Sequence, residues 1–133
     1  GETISIYHFG PAHTNGDAVI HFKKGNILHT GDLFVTYGFP FIDFNSGGNL
    51  PGFIHTLNKI IDLSNDDTII MPGHGDLCNK NDVIEFRDKL VISYEAIKKG
   101  KANGKSIEEI LENFPIIMEG FKEVLVRRTY QAI

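Results

Sequence analysis

AVIHFKKGNILHTGD, residues Ala18 to Asp32, decides how this chain is read. Ala18 to Phe22 alternates in the manner of a β-strand, Lys23-Lys24-Gly25-Asn26 is a hairpin signal, and Asn26 to Thr30 runs back as a second strand. That returning strand leads directly into Gly31-Asp32, a carboxylate beside a glycine. Two other segments have the same construction. Ala12-His13-Thr14-Asn15-Gly16-Asp17 comes after the strand-like run Thr3 to Phe9, and Pro72-Gly73-His74-Gly75 comes after Thr68 to Met71. A strand fixes the backbone, and glycine lets the following loop turn sharply towards an ion.

The rest of the chain fills in around these segments. Gly31 to Gly52 reads as a long loop rich in glycine, proline and aromatics, and a loop of that length in a compact domain is usually functional or covered by a partner. Leu50 to Leu63 places Phe53, Ile54, Leu57, Ile60 and Ile61 at helical spacing, with Pro51 in the first turn. Asn81 or Asp82 is expected to cap a second helix running to about Lys99. Gly100 to Lys105 is a loop, Ser106-Ile107-Glu108-Glu109 resembles a capping box, and a last helix starts near Gly120. The order gives an α/β (α+β) fold: one mostly antiparallel sheet with helices on one face. If the second face of such a sheet is apolar, another sheet or another chain must cover it.

Bulk properties narrow the function. The chain has 133 residues, a net charge of −4 and enough apolar residues for one core. No run of Lys or Arg exceeds two residues, so nucleic acid and anionic membrane are not expected partners. The Lys98-Lys99, Lys101 and Lys105 cluster reads as a solvated face, and Arg127-Arg128 is too short to mark a nucleic-acid site. No apolar stretch is long enough to span a bilayer. Cys78 is the only cysteine, which excludes an internal disulfide and a Cys-rich zinc site. Gly1-Glu2-Thr3 passes straight into a strand-like run, which reads as a start inside a larger gene product.

His13, Asp32 and His74 are the candidate metal ligands. Imidazole and carboxylate together suit Zn²⁺, Fe²⁺ or Mn²⁺. From three loop mouths at one sheet edge they could converge, and the two oxygens of Asp32 could bridge two ions and hold an activated water between them. Tyr37 reads either as a hydrogen-bond donor to a carbonyl oxygen or oxyanion, or as packing over the loop. Phe34, Phe39, Phe41 and Phe44 accompany it near an expected substrate mouth. Asp43 reads as a carboxylate orienting a ligand histidine or as a solvated loop residue. Asp17 reads as structural, His8 and His21 as sheet residues, and His55 as an exposed or packed helix residue. His29 reads as a sheet residue or as a hydrogen-bonding neighbour of the ion.

At AHTNGD, HTGDLF and MPGHG, with the helix start GGNLPGFIHTL between the last two, the chain resembles the metallo-β-lactamase superfamily. The resemblance implies an αββα sandwich with a dinuclear metal centre at one edge of two sheets. By motif position His13 resembles the third histidine of the first metal, Asp32 the bridging aspartate, and His74 the histidine of the second metal. The signature His-x-His-x-Asp-His, from the first half of that fold, is absent. Residues 1–133 are thus expected to be a single half-domain, the second half of the sandwich. A bridging aspartate, where true β-lactamases usually carry cysteine or serine, is similar to the glyoxalase II, lactonase and broad hydrolase branches.

What the resemblance implies is a hydrolase holding two Zn²⁺ per intact site, or Fe or Mn. Metal-bound hydroxide attacks an ester, thioester or lactone carbonyl of a small-molecule substrate. With half of the ligands missing, this chain is expected to be inactive by itself. The alternative is a non-catalytic half-domain that assembles through its exposed sheet face as a homo-oligomer. The expected partner is therefore the missing N-terminal half or a second copy. Family members occur in cytoplasm and periplasm alike, which leaves the compartment open.

Overall fold

The computed structural model describes residues 1–133. Its elements are β1 (Ile4–Tyr7), β2 (Val19–Phe22), β3 (Ile27–Val35), α1 (Leu50–Leu63), β4 (Ile69–His74), α2 (Lys80–Ala102), α3 (Ile107–Glu112) and α4 (Lys122–Ala132). They form one four-stranded sheet in the order β1-β2-β3-β4. β1 to β3 are antiparallel neighbours, and β4 joins β3 in parallel after the α1 crossover. The expected fold class, a mostly antiparallel sheet with helices, is the one observed. No helix is long and apolar enough to cross a membrane.

Alternation along the strands separates two faces. Tyr7, Val19, Leu28 and Ile70 point one way, since Tyr7 pairs with Val19 and Leu28 with Ile70. Val19, Leu28 and Ile70 are buried in a single core with Phe53, Leu57 and Ile60 of α1 and Val83, Phe86 and Leu90 of α2. The opposite face carries two cross-strand rows, Ile4-Phe22-Ile27-Ile69 and Ile6-Ile20-His29-Met71. It is apolar and open: Ile4 is 55 % exposed, Ile6 71 % and Ile69 39 %.

Several boundaries differ from the sequence reading. β3 does not end at Thr30 but continues to Val35, so the loop expected from Gly31 begins at Thr36 instead. The reason is a glycine bulge. Gly31 takes φ +53°, and the ladder shifts register on both sides of it, which lets the strand resume pairing with β4. Leu33, Phe34 and Val35 are consequently buried. β4 likewise runs on through Pro72-Gly73 to His74.

The cap of α2 is Asn79, not Asn81 or Asp82. The Asn79 side chain accepts from the Asp82 N–H and the Asp82 carboxylate accepts from the Asn79 N–H, a reciprocal box. α2 also extends to Ala102, three residues past Lys99. α1 has the expected bounds, with Asn49 Oδ1 accepting from the Gly52 N–H at 2.7 Å. The Ser106 capping box opens α3 as read.

Candidate metal centre

The three candidate ligands start from very different places. His13 sits in the β1–β2 connection. Asp17 closes this loop by accepting from the Thr14 N–H and hydroxyl, both at 2.8 Å, which is the structural role expected of it. The loop is seated on the start of α1: Asn49 N–H donates to the Ala12 carbonyl at 3.0 Å, and Asp43 N–H to the His13 carbonyl at 2.8 Å. Asp32 lies inside β3 directly after the bulge. Here β3 runs from Gly31 to Val35 while β4 covers only Pro72 to His74, and the surplus backbone carries Asp32 out of the ladder. His74 is the last residue of β4. One ligand candidate is therefore in a loop and two are in strands, where the sequence suggested three loops.

The structure nevertheless brings all three together. His13 Nε2 lies 3.4 Å from Asp32 Oδ2, and His74 Nε2 lies 3.2 Å from Asp32 Oδ1. Each imidazole thus faces a different oxygen of one carboxylate. The side chains are graded in exposure, 17 % for His13, 39 % for Asp32 and 68 % for His74. Gly73 is what lets the carboxylate lie where it does. A Cβ at that position would stand 2.5 Å from Asp32 Oδ1 and 2.7 Å from the Gly31 carbonyl carbon.

His13 is oriented by a partner that sequence reading missed. Its Nδ1–H donates to the Phe41 carbonyl at 2.6 Å, since a carbonyl can only accept, and this leaves Nε2 as the free lone pair. Asp43 does not perform that task. Its carboxylate caps a short 3₁₀ turn, Phe44–Ser46, by accepting from the Ser46 N–H and hydroxyl. His29 accepts the Gly31 N–H on Nδ1 at 3.2 Å, beside the bulge. His8, just past β1, has Nδ1 2.7 Å from the Asp17 carbonyl. His55 is exposed on α1. His21 pairs with Leu28, and its buried Nδ1 has no partner.

The cavity over these donors holds about 400 Å³ and is lined by His13, Asp32, Tyr37, Phe41, His74 and Phe121. Of the aromatics expected at a mouth, only Tyr37 and Phe41 are there. Phe34 and Phe39 are in the core, because β3 continues and the next segment folds inward. Phe44 is half-buried beneath the Arg128 guanidinium, 5.1 Å from its ring centre. Tyr37 Oη accepts from the Phe41 N–H at 3.0 Å, so its own hydroxyl hydrogen is available for donation. Phe121, which no local signal in the sequence singles out, comes from the opposite end of the chain.

In donor type the set fits a divalent ion of the zinc, iron or manganese group. In number it is short. No three His, Cys, Asp or Glu side chains surround one point, and each of two ions would find one imidazole and one carboxylate oxygen here.

Comparison with solved structures gives the same picture at the level of the fold. BLEG-1, a B3 metallo-beta-lactamase, is 26 % identical, with 67 % of this chain and 42 % of that one covered, at a TM-score of 0.56. A metallo-beta-lactamase from Pontibacter korlensis is 17 % identical over 68 % of this chain and 42 % of that one, at 0.57. TTHA1623, solved in a di-iron-bound form, is 19 % identical over 62 % and 40 %, at 0.53. The chain thus spans about two fifths of the length of these structures. It has no match among curated proteins. Residues 2–74 match the family model of the metallo-beta-lactamase superfamily, a stretch that includes His13, Asp32 and His74 and more than half of the chain, and the protein belongs to that superfamily.

Proposed function

We propose that this chain is one half of a metal-dependent hydrolase in which His13, Asp32 and His74 are ligands to a pair of divalent cations, Asp32 bridging them. The observation that carries the reading is the division of labour at Asp32, one oxygen towards each imidazole. The bound cations would supply Lewis acidity and a water of lowered pKa. The chain's own residues do the rest. Phe41 holds His13 in the tautomer whose Nε2 can coordinate, the bulge at Gly31 aims the carboxylate, and Tyr37 offers its hydroxyl hydrogen to the carbonyl oxygen as negative charge develops on it. Overall, one water and one ester or thioester give an acid and an alcohol or thiol, and one water and a lactone give a single hydroxy acid. The bridging aspartate supports the glyoxalase II, lactonase and broad hydrolase branches over β-lactam cleavage.

The remaining ligands belong, in this reading, to an N-terminal half carrying His-x-His-x-Asp-His. The test is metal content and hydrolysis by the chain alone and with that half supplied separately. Expected are weak metal binding alone, tight binding of two ions in the complemented protein, and turnover of a thioester or lactone. Tight binding of two ions with turnover by the chain alone, or no metal uptake in either preparation, overturns it. Turnover of a β-lactam alone would move the substrate class.

A second reading has its own observation, the open apolar sheet face formed by Ile4, Ile6, Ile69 and their neighbours. In that reading two copies bury the face against each other as a homo-oligomer.

A further inference from the structure

The lining of the candidate centre is one-sided in its chemistry. Beyond the two imidazoles and the carboxylate it consists of Tyr37, Phe41 and Phe121, and no Lys or Arg is among the lining residues. All three aromatics are substantially exposed. They are exposed together: Phe121 meets Phe41 at 5.3 Å and Tyr37 at 5.8 Å between ring centres, both edge to face. The same two rings reach the donors, Phe41 lying 6.1 Å from the His13 ring and Tyr37 6.4 Å from the His74 ring.

The arrangement is held by backbone. Phe39 N–H donates to the Glu119 carbonyl at 2.8 Å, and Phe121 N–H donates to the Phe39 carbonyl at 3.1 Å. This short parallel bridge delivers Phe121 to the donors from a point 47 residues beyond His74 in the chain. The two guanidinium groups that line a neighbouring cavity with Phe121 are engaged with other partners, Arg127 with Glu108 and Glu123, and Arg128 with Asn45.

Resting on the hydrolase reading, we infer that Tyr37, Phe41 and Phe121 form the wall that receives the group attached to the scissile carbonyl, and that this group is apolar and uncharged. Three clustered rings exposed on this half of the molecule gain contact when an aryl or alkyl group seats on them. A carboxylate or phosphate in that position would meet aromatic rings and find no cation on this wall to balance it.

The metal-free chain tests this without turnover. Backbone amide NMR is followed while naphthalene-2-acetamide, acetamide and naphthalene-2-sulfonate are titrated separately. Expected is saturable binding of the neutral naphthyl probe, with shifts centred on Phe41, Gly120 and Phe121, and no such shifts with acetamide. Phe121→Ala and Phe41→Ala each weaken the naphthyl probe at least fivefold, while Phe121→Leu weakens it less. Unchanged affinity in both alanine variants, shifts centred elsewhere, or tighter binding of the sulfonate overturns the proposal. So does sedimentation showing that Phe121→Ala dissociates an oligomer, because the wall is then a contact between copies. Mn²⁺ line broadening at His13, Asp32 and His74 on the same samples reads the donor set independently, so loss of the wall and loss of the metal reading are told apart.

Discussion

His13 and Phe41, 28 positions apart in the chain, are joined by the shortest side-chain contact at the candidate centre, Nδ1–H to carbonyl at 2.6 Å. The bond fixes which nitrogen is bare. A long-range proton–nitrogen spectrum of the neutral ring is expected to show hydrogen on Nδ1, and added Zn²⁺ should move the Nε2 resonance. Hydrogen found on Nε2 would remove His13 from the ligand set. Replacement of Asp32 by Ala should lower Zn²⁺ affinity of the chain by more than about tenfold, measured by competition with a chelating dye.

Gly73→Ala tests the floor under the carboxylate. The new methyl would stand 2.5 Å from Asp32 Oδ1 and 2.7 Å from backbone of β3, well inside contact distance. Either Asp32 or the β3–β4 ladder must yield. We expect a loss of about 1–3 kcal/mol in stability by urea titration and a Zn²⁺ affinity reduced about 10- to 100-fold. Full retention of both would mean that the carboxylate does not sit where it is described.

The open sheet face gives a prediction about association. Ile6 is 71 % exposed, so Ile6→Lys should change folding stability by less than about 0.5 kcal/mol. It should nonetheless shift the sedimentation profile of concentrated protein towards monomer. A wild-type chain that is already monomeric at high concentration would count against assembly through this face.

Glu2 supplies a pH dependence. Its carboxylate accepts from the backbone N–H groups of Lys24, Gly25 and Thr3, tying the start of the chain to the β2–β3 turn. The Lys24 N–H does most to hold its pKa below the ordinary carboxylate value; burial opposes this, and Gly25, Thr3 and the charge of His21 reinforce it. The folded state therefore releases this proton more readily than the unfolded one. The stability contribution is complete above the ordinary carboxylate range and disappears as pH falls through the depressed value. The difference in melting temperature between wild type and Glu2→Gln should be present at pH 7 and close on acidification. A difference that does not change with pH would show that Glu2 acts without its charge.

What the sequence disclosed and what it hid follow from the range of the interactions involved. α1 was legible because its apolar period and Pro51 are local, and His13, Asp32 and His74 stood out because each lies in its own short glycine-containing motif. The course of β3 past Gly31 was not legible. Glycine followed by an acidic residue reads as a stop, and only pairing with β4 shows it to be a bulge within a continuing strand. The Phe41 carbonyl was hidden because main-chain acceptors carry no residue signature. Phe121 was hidden because its place depends on a bridge to Phe39, far away in the chain.

That bridge also makes the C-terminal portion a clasp on the middle of the molecule. Phe39 is fully enclosed, and its amide and carbonyl have their partners at Glu119 and Phe121. A protease cut or a shortened gene ending before Glu119 would remove both partners and uncover the Phe39 main chain, exchanging two protein hydrogen bonds for bonds to water. The stretch from Thr36 to Ile42 would then lose its tie to the C-terminal portion, and with it a support for the segment whose Phe41 carbonyl steadies His13. An end of the chain that contributes no ligand thus governs how well the ligands are set.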